Sequence, residues 1–182
     1  MIHSMAGKAT IGSTGVFLND WLSGSWGQDT LHGGNNEDTI HGGADNDELY
    51  GDNGDDELFA GSGNDYLDGG SHDDELHGSS GNDILIGGAG DDTLTGGTDA
   101  DIFILNTTNG TDTITDFDAS EGDKIQIDTA AFGDILSVNF SSGTLSIDVN
   151  TSSNGRLGIA TYHLATLENV ANFDMIASVE WI

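Results

Sequence analysis

The sequence predicts an all-β protein whose main part is a parallel β-roll, that is, a two-sheet β-solenoid of nonapeptide repeats. A nine-residue unit repeats nine times between residues 24 and 104 without an insertion or deletion. Position six of every unit is aspartate, and position eight is a large apolar residue. A fixed period of this kind is the sequence signature of a solenoid. We expect a lead-in over residues 1–14, the β-roll over 15–104 and a β-rich C-terminal cap over 105–182.

Each unit combines a turn with a short strand. Positions one to six are mostly Gly, Asn, Asp and Ser, which tolerate positive φ and form turns. Positions seven to nine alternate outward, inward and outward, which predicts a three-residue strand. Two units complete one coil, so each unit stacks on the unit eighteen residues away and the strands form two parallel sheets. The inward columns are Leu22, Ile40, Leu58, Leu76 and Leu94 on one side and Leu31, Leu49, Leu67, Leu85 and Phe103 on the other.

The composition indicates that this thin core cannot stabilise the fold alone. Apolar residues make up 35% of the 182 residues, and the formal charge is −29. A chain this acidic stays unfolded unless something cationic condenses it. Three basic residues, Lys8, Lys124 and Arg156, build no basic patch, which excludes nucleic acid and acidic lipid as partners. The sequence has no cysteine, no N-terminal signal peptide and no apolar stretch long enough to span a membrane.

The aspartates of position six suggest what the cation is. Turns on the same side of the coil place these carboxylates at one strand spacing, where they repel strongly. Oxygen-only ligands suit a hard cation, and calcium fits because it accepts six to eight oxygens with flexible geometry. The alternatives are a metal-free polar solenoid and an acidic disordered tract. The stacked columns are Asp38, Asp56, Asp74 and Asp92, and Asp29, Asp47, Asp65, Asp83 and Asp101.

The units resemble GGxGxDxUx, the calcium-binding nonapeptide of RTX (repeats-in-toxin) proteins. The resemblance implies calcium ions between the turns of units n and n+2. The first turn supplies the carbonyls of positions two and four and its aspartate, and the second supplies the carbonyls of positions one and three and its aspartate. One side would use Gly34, Asn36 and Asp38 with Gly51, Asn53 and Asp56; Asp52, Gly54 and Asp56 with Gly69, Ser71 and Asp74; and Gly70, His72 and Asp74 with Gly87, Ala89 and Asp92. The other side would use Ser25, Gly27 and Asp29 with Gly42, Ala44 and Asp47; Gly43, Asp45 and Asp47 with Ala60, Ser62 and Asp65; Gly61, Gly63 and Asp65 with Gly78, Ser80 and Asp83; and Ser79, Gly81 and Asp83 with Gly96, Thr98 and Asp101.

The pattern has two departures. An eighth site, from Asp20 to Asp38, has Leu18 in place of glycine at position four. His72 occupies position four of another unit and brings the geometry of that turn into question. Seven or eight calcium ions would change the formal charge from −29 to −15 or −13.

The chain after the repeats predicts further strands. Residues 109–128 resemble the segment that follows the repeats in secreted RTX proteases, where ITDF and GDKI recur, and we expect the rest of the chain to cover an apolar face formed by Ile84, Ile86, Ile102 and Ile104. Residues 134–150 predict a hairpin with a Ser-Ser-Gly turn, and RLGIATYHLATL predicts another strand. The resemblance also implies an uncleaved C-terminal signal for a type I exporter, which Glu180 and two following apolar residues match in part. The alternative is an ordinary last strand.

The outward positions favour a solvated surface. A ladder of His41, Phe59 and His77 lies beside Glu57 and Glu75. Such a ladder can bind zinc or exchange protons. The exposed rings of Tyr50 and Phe59 can also mark a contact with a partner or a sugar.

The sequence is compatible with three candidate functions. The first is a secreted, extracellular calcium-binding module that folds on binding calcium and uses a type I secretion machinery. The second is an enzyme, which we do not expect because HExxH, GxSxG and a cysteine nucleophile are all missing. The third is a calcium-dependent structural or adhesive surface protein, or the non-catalytic tail of a secreted RTX protease, lipase or polysaccharide epimerase. The sequence does not identify a surface or polysaccharide partner.

Overall fold

The computed structural model describes residues 10–12, 19–106, 110–127, 135–141, 144–153, 156–167 and 179–181. Side chains are described for 19–106, for 110–127 and for residue 166. The regular structure in these ranges is strand, and none of it is a helix that could cross a membrane. The strands are Thr10–Gly12 (β1), Trp21–Trp26 (β2), Thr30–Asn35 (β3), Thr39–Ala44 (β4), Glu48–Asn53 (β5), Glu57–Ser62 (β6), Tyr66–Ser71 (β7), Glu75–Ser80 (β8), Ile84–Ala89 (β9), Thr93–Thr98 (β10), Ile102–Leu105 (β11), Asp112–Ile114 (β12), Lys124–Ile127 (β13), Ile135–Ser141 (β14), Thr144–Ser153 (β15), Arg156–Leu167 (β16) and Val179–Trp181 (β17).

The strands form two sheets that the chain visits alternately. Sheet 1 has the order β1-β3-β5-β7-β9-β11-β13-β17, and sheet 2 has the order β14-β15-β16-β12-β10-β8-β6-β4-β2. Within the repeats all neighbours are parallel and offset by eighteen residues, so Leu31 lies opposite Leu49 and Ile40 lies opposite Leu58. This arrangement confirms the predicted parallel two-sheet β-solenoid.

The strands of the repeats are longer than predicted. They have six residues rather than three and run from position seven of one unit to position three of the next. The pairing skips position one and resumes at positions two and three, as between Gly34 and Asp52. Position two has positive φ in all nine units, for example 76° at Ser25 and 72° at Asp52. Because every coil turns in the same way at this position, neighbouring coils stay in register through it.

The core is one apolar column on each sheet, as predicted. All ten inward residues from Leu22 to Phe103 have 0% exposure. The column continues past the repeats, where the Phe103 and Phe117 rings lie 6.2 Å apart between centroids. The further buried residues are Leu105, Ile114, Phe117, Ile125 and Ile127. Residues 110–127 therefore continue the apolar core beyond the repeats.

The C-terminal strands extend the two sheets edge to edge. β12 adds to β10, and β13 adds to β11. The predicted hairpin is present as β14 and β15, although its turn residues 142–143 lie outside the described residues, and RLGIATYHLATL forms β16. β17 pairs with β13, as an ordinary last strand would. Ile84, Ile86, Ile102 and Ile104 are half-buried, and the cover of this face by the rest of the chain stays a prediction.

The lead-in also contributes to the roll. Thr10–Gly12 forms β1 and pairs in parallel with β3, with Ile11 opposite Leu31. The offset of this pair is twenty residues instead of eighteen. A period of nine therefore gives no sign of this strand.

We expect Leu58→Ala to lower the free energy of unfolding by about 2–5 kcal/mol, because the change leaves a cavity in a one-residue-wide core. Chemical denaturation at a fixed calcium concentration measures the effect. Glu57→Ala on the same strand is the matched control, because Glu57 points outward and is exposed. Equal effects of the two substitutions would contradict the assignment of inward and outward faces.

Candidate metal centre

The position-six carboxylates are buried between the coils. Each of the nine has a relative exposure of 0–3%, although ionised aspartates are almost never buried without a partner. They lie where the turn ends and the next strand begins, on the interior side of the backbone. They are Asp29, Asp38, Asp47, Asp56, Asp65, Asp74, Asp83, Asp92 and Asp101.

From Asp38 to Asp101, one oxygen of each position-six carboxylate joins a ladder along the roll. The backbone N–H of the corresponding aspartate in the preceding coil donates to Oδ1, at 2.7 Å from Asp38 to Asp56 and 2.8 Å from Asp56 to Asp74. The ladder on the opposite turns is the same, with 2.7 Å from Asp47 to Asp65. The predicted stacking of the aspartates is therefore correct.

The second oxygen has no such donor. Oδ2 is buried and accepts no hydrogen bond in Asp38, Asp47, Asp56, Asp65, Asp74, Asp83, Asp92 and Asp101. A buried polar atom without a partner costs about 1–3 kcal/mol, and more when it is charged. Eight repetitions of this arrangement call for a common cause.

Oδ2 borders a small oxygen-lined space, which we call the cradle. A Cβ atom placed on Gly33, at position one, would stand 2.7 Å from Asp38 Oδ2 and 2.9 Å from the carbonyl oxygen of Gly51 in the next coil. One placed on Gly42 would stand 2.6 Å from Asp47 Oδ2 and 2.7 Å from the carbonyl oxygen of Ala60. Any side chain at position one would therefore collide with both oxygens, and glycine avoids this collision.

Backbone carbonyls face the same gap from both coils. The carbonyl oxygens of positions two and four point toward the next coil, where those of Ser25 and Asn36 approach the α-carbons of Gly43 and Gly54. The carbonyl of position three points back, as Asn53 O accepts a hydrogen bond from Asn36 N at 2.8 Å. These are the carbonyl positions that the RTX resemblance implies as ligands.

Positive φ at position four maintains this arrangement in every unit. The φ angle is 77° at Asn36 and 86° at His72. His72 N also donates to the carbonyl oxygen of Ala89 at 2.7 Å, like its counterparts in the other turns. The histidine therefore leaves its turn regular. Leu18, the other departure from the pattern, lies outside the described residues.

Burial shifts the carboxylates toward their protonated form. Desolvation is the main cause, and neighbouring carboxylates add to it. The pKa of Asp74 rises to about 8, the pKa values of Asp56 and Asp101 rise to about 7, and those of Asp47 and Asp83 rise to about 6. The metal-free roll therefore holds protons that a cation would displace.

The donors suit a hard cation held by both backbone and side chains. Within residues 19–106 and 110–127, no three His, Cys, Asp or Glu side chains gather into a group that could hold a metal alone. Two carboxylates and several carbonyls per gap provide the six to eight oxygens that calcium accepts. The residues present therefore fit calcium.

The structure adds carboxylates that the repeat period missed. Asp112 and Asp123 are 6% and 5% exposed and continue the ladder, because their Oδ1 atoms accept from the backbone N–H of Asp92 and Asp101. Their spacings of 20 and 22 residues break the period of nine. The sequence does indicate Asp112, because residues 110–114 read Gly-x-Asp-x-Ile and so repeat positions four to eight of the nine-residue unit.

The last carboxylate ends the ladder. Asp123 Oδ1 accepts from Asp101 N at 2.9 Å, and its Oδ2 accepts from Asp118 N at 2.8 Å. Asp116 likewise accepts from Gly96 N and Gly97 N. Both oxygens of Asp123 are thus hydrogen-bonded, unlike those of the repeats.

The outward histidines stack rather than gather around a metal. His41 and Phe59 stack at 4.9 Å, and Phe59 and His77 stack at 4.9 Å. His77 Nε2 lies 2.9 Å from Glu75 Oε1. The described part of this face therefore offers one ion pair and a row of rings, not a zinc site.

Comparison with known proteins identifies the repeats. The family model described as RTX calcium-binding nonapeptide repeat (4 copies) matches residues 19–40, 32–67 and 68–103. Residues 19–103 are therefore nonapeptide repeats of the RTX type. A comparison with curated proteins finds no match.

One of the solved structures that it resembles is the solution structure of the AlgE6R3 subunit from the Azotobacter vinelandii mannuronan C5-epimerase. The two chains are 26% identical, and the match covers 81% of this chain and 78% of that one with a TM-score of 0.39.

We expect acid to stabilise the metal-free roll. The raised pKa values mean that the folded chain binds more protons than the unfolded chain between about pH 4 and pH 8, so its free energy of unfolding falls as the pH rises through this window. Far-UV circular dichroism of protein freed of calcium by chelation and dialysis should show more strand at pH 5 than at pH 8. Strand content that rises with pH would contradict the burial of these carboxylates.

Proposed function

We propose that this protein is a secreted calcium-binding module that folds when calcium ions bind between its coils. The observation that carries the proposal is the row of buried Oδ2 atoms without hydrogen bonds, of which those of Asp38, Asp47, Asp56, Asp74 and Asp83 lie near a carbonyl oxygen of the next coil. No hydrogen-bond donor of the described chain serves these oxygens, and a dication would.

Calcium would be held by both turns of a stacked pair. In the gap below Asp38, the carbonyls of Gly34 and Asn36 would act with those of Gly51 and Asn53, and Asp38 with Asp56. The other gaps would use the corresponding residues of the sets given in the sequence analysis. The ion supplies positive charge where the carboxylates repel each other. The chain supplies rigid turns that aim the carbonyls.

Binding and folding are one process in this proposal. The ligands come from residues about eighteen apart, so the unfolded chain does not present them together. The binding free energy then becomes folding free energy. A core one residue wide on each sheet adds too little to fold this acidic chain alone.

Calcium-dependent folding suits export. Where calcium is scarce, the chain stays extended and can pass through a type I exporter, and where calcium is abundant the coils close. The likeness of the repeats to RTX proteins supports this route. Localisation outside the cell and the secretion machinery as a partner belong to the proposal.

A second candidate function is adhesion through aromatic side chains. Trp26 is 71% exposed and Trp21 is 43% exposed, both near the N-terminal end of the repeats. Exposed aromatics of this size are typical of contact surfaces. In this reading the module is structural and non-catalytic, either a surface protein or the tail of a secreted enzyme.

Calcium should convert the chain from unfolded to β-rich. We expect the far-UV circular dichroism spectrum at pH 7.5 to show a disordered chain in EGTA and strand after calcium is added, with a cooperative transition. Magnesium at the same concentration is the control, because it demands stricter octahedral geometry. A β-rich spectrum that is identical in EGTA and in calcium would refute the coupling.

Asp56→Asn should raise the calcium concentration at the folding midpoint several-fold, because Asp56 serves the gaps on both of its sides. The matched control is Asp55→Asn, which removes the same charge from an exposed neighbour. Calcium titration followed by intrinsic tryptophan fluorescence compares the two variants. If the control shifts the midpoint as much as Asp56→Asn, general charge rather than ligation controls folding.

A further inference from the structure

The chain makes a further turn of the repeat type just after the matched repeats end. Gly110 has a φ of 132°, and a side chain on it would collide with the carbonyl oxygen of Gly90 in the preceding coil. The same close approach occurs at position four of the repeats, where Gly90 lies against the carbonyl oxygen of His72. Gly110 therefore stands at position four of a further turn, whose residues 110–112 we call the seam turn.

Backbone hydrogen bonds hold the seam turn in the register of the repeats. Thr111 N donates to Asp91 Oδ1 at 2.7 Å, as the position-five N–H does in the preceding coils on this side. Thr113 N donates to the carbonyl oxygen of Asp92 at 2.7 Å, and β12 pairs in parallel with β10. The strand partners are offset by twenty residues instead of eighteen. The seam turn therefore keeps the repeat geometry despite two extra residues in the loop before it.

The seam turn places a carboxylate where the repeats have theirs. Asp112 is 6% exposed, and its Oδ1 accepts a hydrogen bond from Asp92 N at 3.4 Å, which is the ladder contact of the repeats in a longer form. Burial, and next the charge of Asp92, raise the pKa of Asp112 to about 8, so the two carboxylates lie close together. Two buried carboxylates side by side repel each other unless a proton or a cation lies between them.

Asp92 presents an unpaired oxygen to the seam turn. Its Oδ1 accepts from Asp74 N in the preceding coil at 2.9 Å. Its Oδ2 is buried and accepts no hydrogen bond, although only 1% of the residue is exposed. In the repeats the corresponding oxygen lies on the side of the following coil, as Asp56 Oδ2 lies near the carbonyl oxygen of Gly69. The coil that follows Asp92 is the seam turn.

The other column of aspartates does not continue in this way. Asp123 takes the place of the next position-six aspartate after Asp101. Two residues before Asp123, Glu121 N donates to the carbonyl oxygen of Asp118 within the same loop, instead of reaching the preceding coil. The repeat geometry therefore continues beyond the repeats on the side of β10 and β12.

We propose that Asp92 and Asp112 hold a calcium ion between the last repeat coil on their side and the seam turn, with the carbonyl oxygen of Gly90 as a further ligand. The inference rests on the proposed function, because it takes the kind of ion from the repeats. Calcium also accepts water, which can complete its six to eight oxygens. The chain then binds one ion more than the sites counted from its nine-residue period. Because β12 also pairs with β16, this ion joins the repeats to the C-terminal strands.

Asp112→Asn tests the inference, because it removes one charged ligand and keeps an oxygen for the ladder contact. Native mass spectrometry counts the ions per chain, and circular dichroism in calcium checks that the variant folds. At the lowest free calcium concentration that saturates the natural chain, we expect Asp112→Asn to hold one ion fewer. An ion count and a calcium affinity equal to those of the natural chain would overturn the inference.

Asp91→Asn is the matched control. It removes the same charge from an exposed residue next to Asp92. Asparagine keeps the hydrogen bond that Asp91 accepts, because Asn64 Oδ1 and Asn82 Oδ1 accept the same bond in the other column. We expect the ion count of the natural chain. A loss equal to that in Asp112→Asn would mean that general charge rather than ligation sets the count, and the inference would be wrong.

A crystal structure of the natural chain grown in calcium covers the case in which Asp112→Asn does not fold. We expect an ion between the carboxylates of Asp92 and Asp112 as well as ions in the gaps of the repeats. Ions in the repeats with none between Asp92 and Asp112 would overturn the inference and leave the proposed function intact. A crystal without ions in either place would overturn both.

Discussion

The structure depends on how it handles buried negative charge. In the described part of the repeats, nine carboxylates lie inside a roll whose large interior side chains are one apolar residue per unit. From Asp38 to Asp101, hydrogen bonds along the ladder satisfy one oxygen of each position-six carboxylate and leave the other without a donor. Removing a carboxylate from water costs several kcal/mol unless it is paired. Protons or cations must therefore neutralise the buried carboxylates in this fold. The raised pKa of Asp74 is what neutralisation by protons predicts.

Glycine at position one and positive φ at positions two and four follow from the same constraint. A side chain at position one would fill the space between Oδ2 and the next coil, as the geometry at Gly33 shows. Positive φ turns the carbonyls of successive positions toward opposite coils, so each gap receives oxygens from both. The turn sequence thus builds an oxygen-lined gap as well as a change of direction, which explains why the strand pairing continues through it.

The repeat period made most of this predictable. The inward columns, the stacking by eighteen residues and the ladder of aspartates all follow from a strict nine-residue register, and the structure has each of them. Strand length did not follow, because Gly and Asp at positions one and two have turn propensity and show no sign that they pair across coils. Asp112 and Asp123 were not predicted as members of the ladder, because their spacing depends on loops of irregular length.

Beyond the repeats, one segment both buries apolar side chains and provides hydrogen-bond donors for a buried carboxylate. Residues 110–127 add Phe117, Ile125 and Ile127 to the buried core beyond the repeats. The same segment places Asp123, whose carboxylate accepts N–H groups from Asp101 and from its own loop at Asp118. A ladder that continued unchanged would leave one more Oδ2 without a donor, whereas this turn folds back to provide one. The ladder of aspartates can therefore end at Asp123 although β17 continues the sheet, and the loop between Asp118 and Asp123 distinguishes this coil from a further repeat.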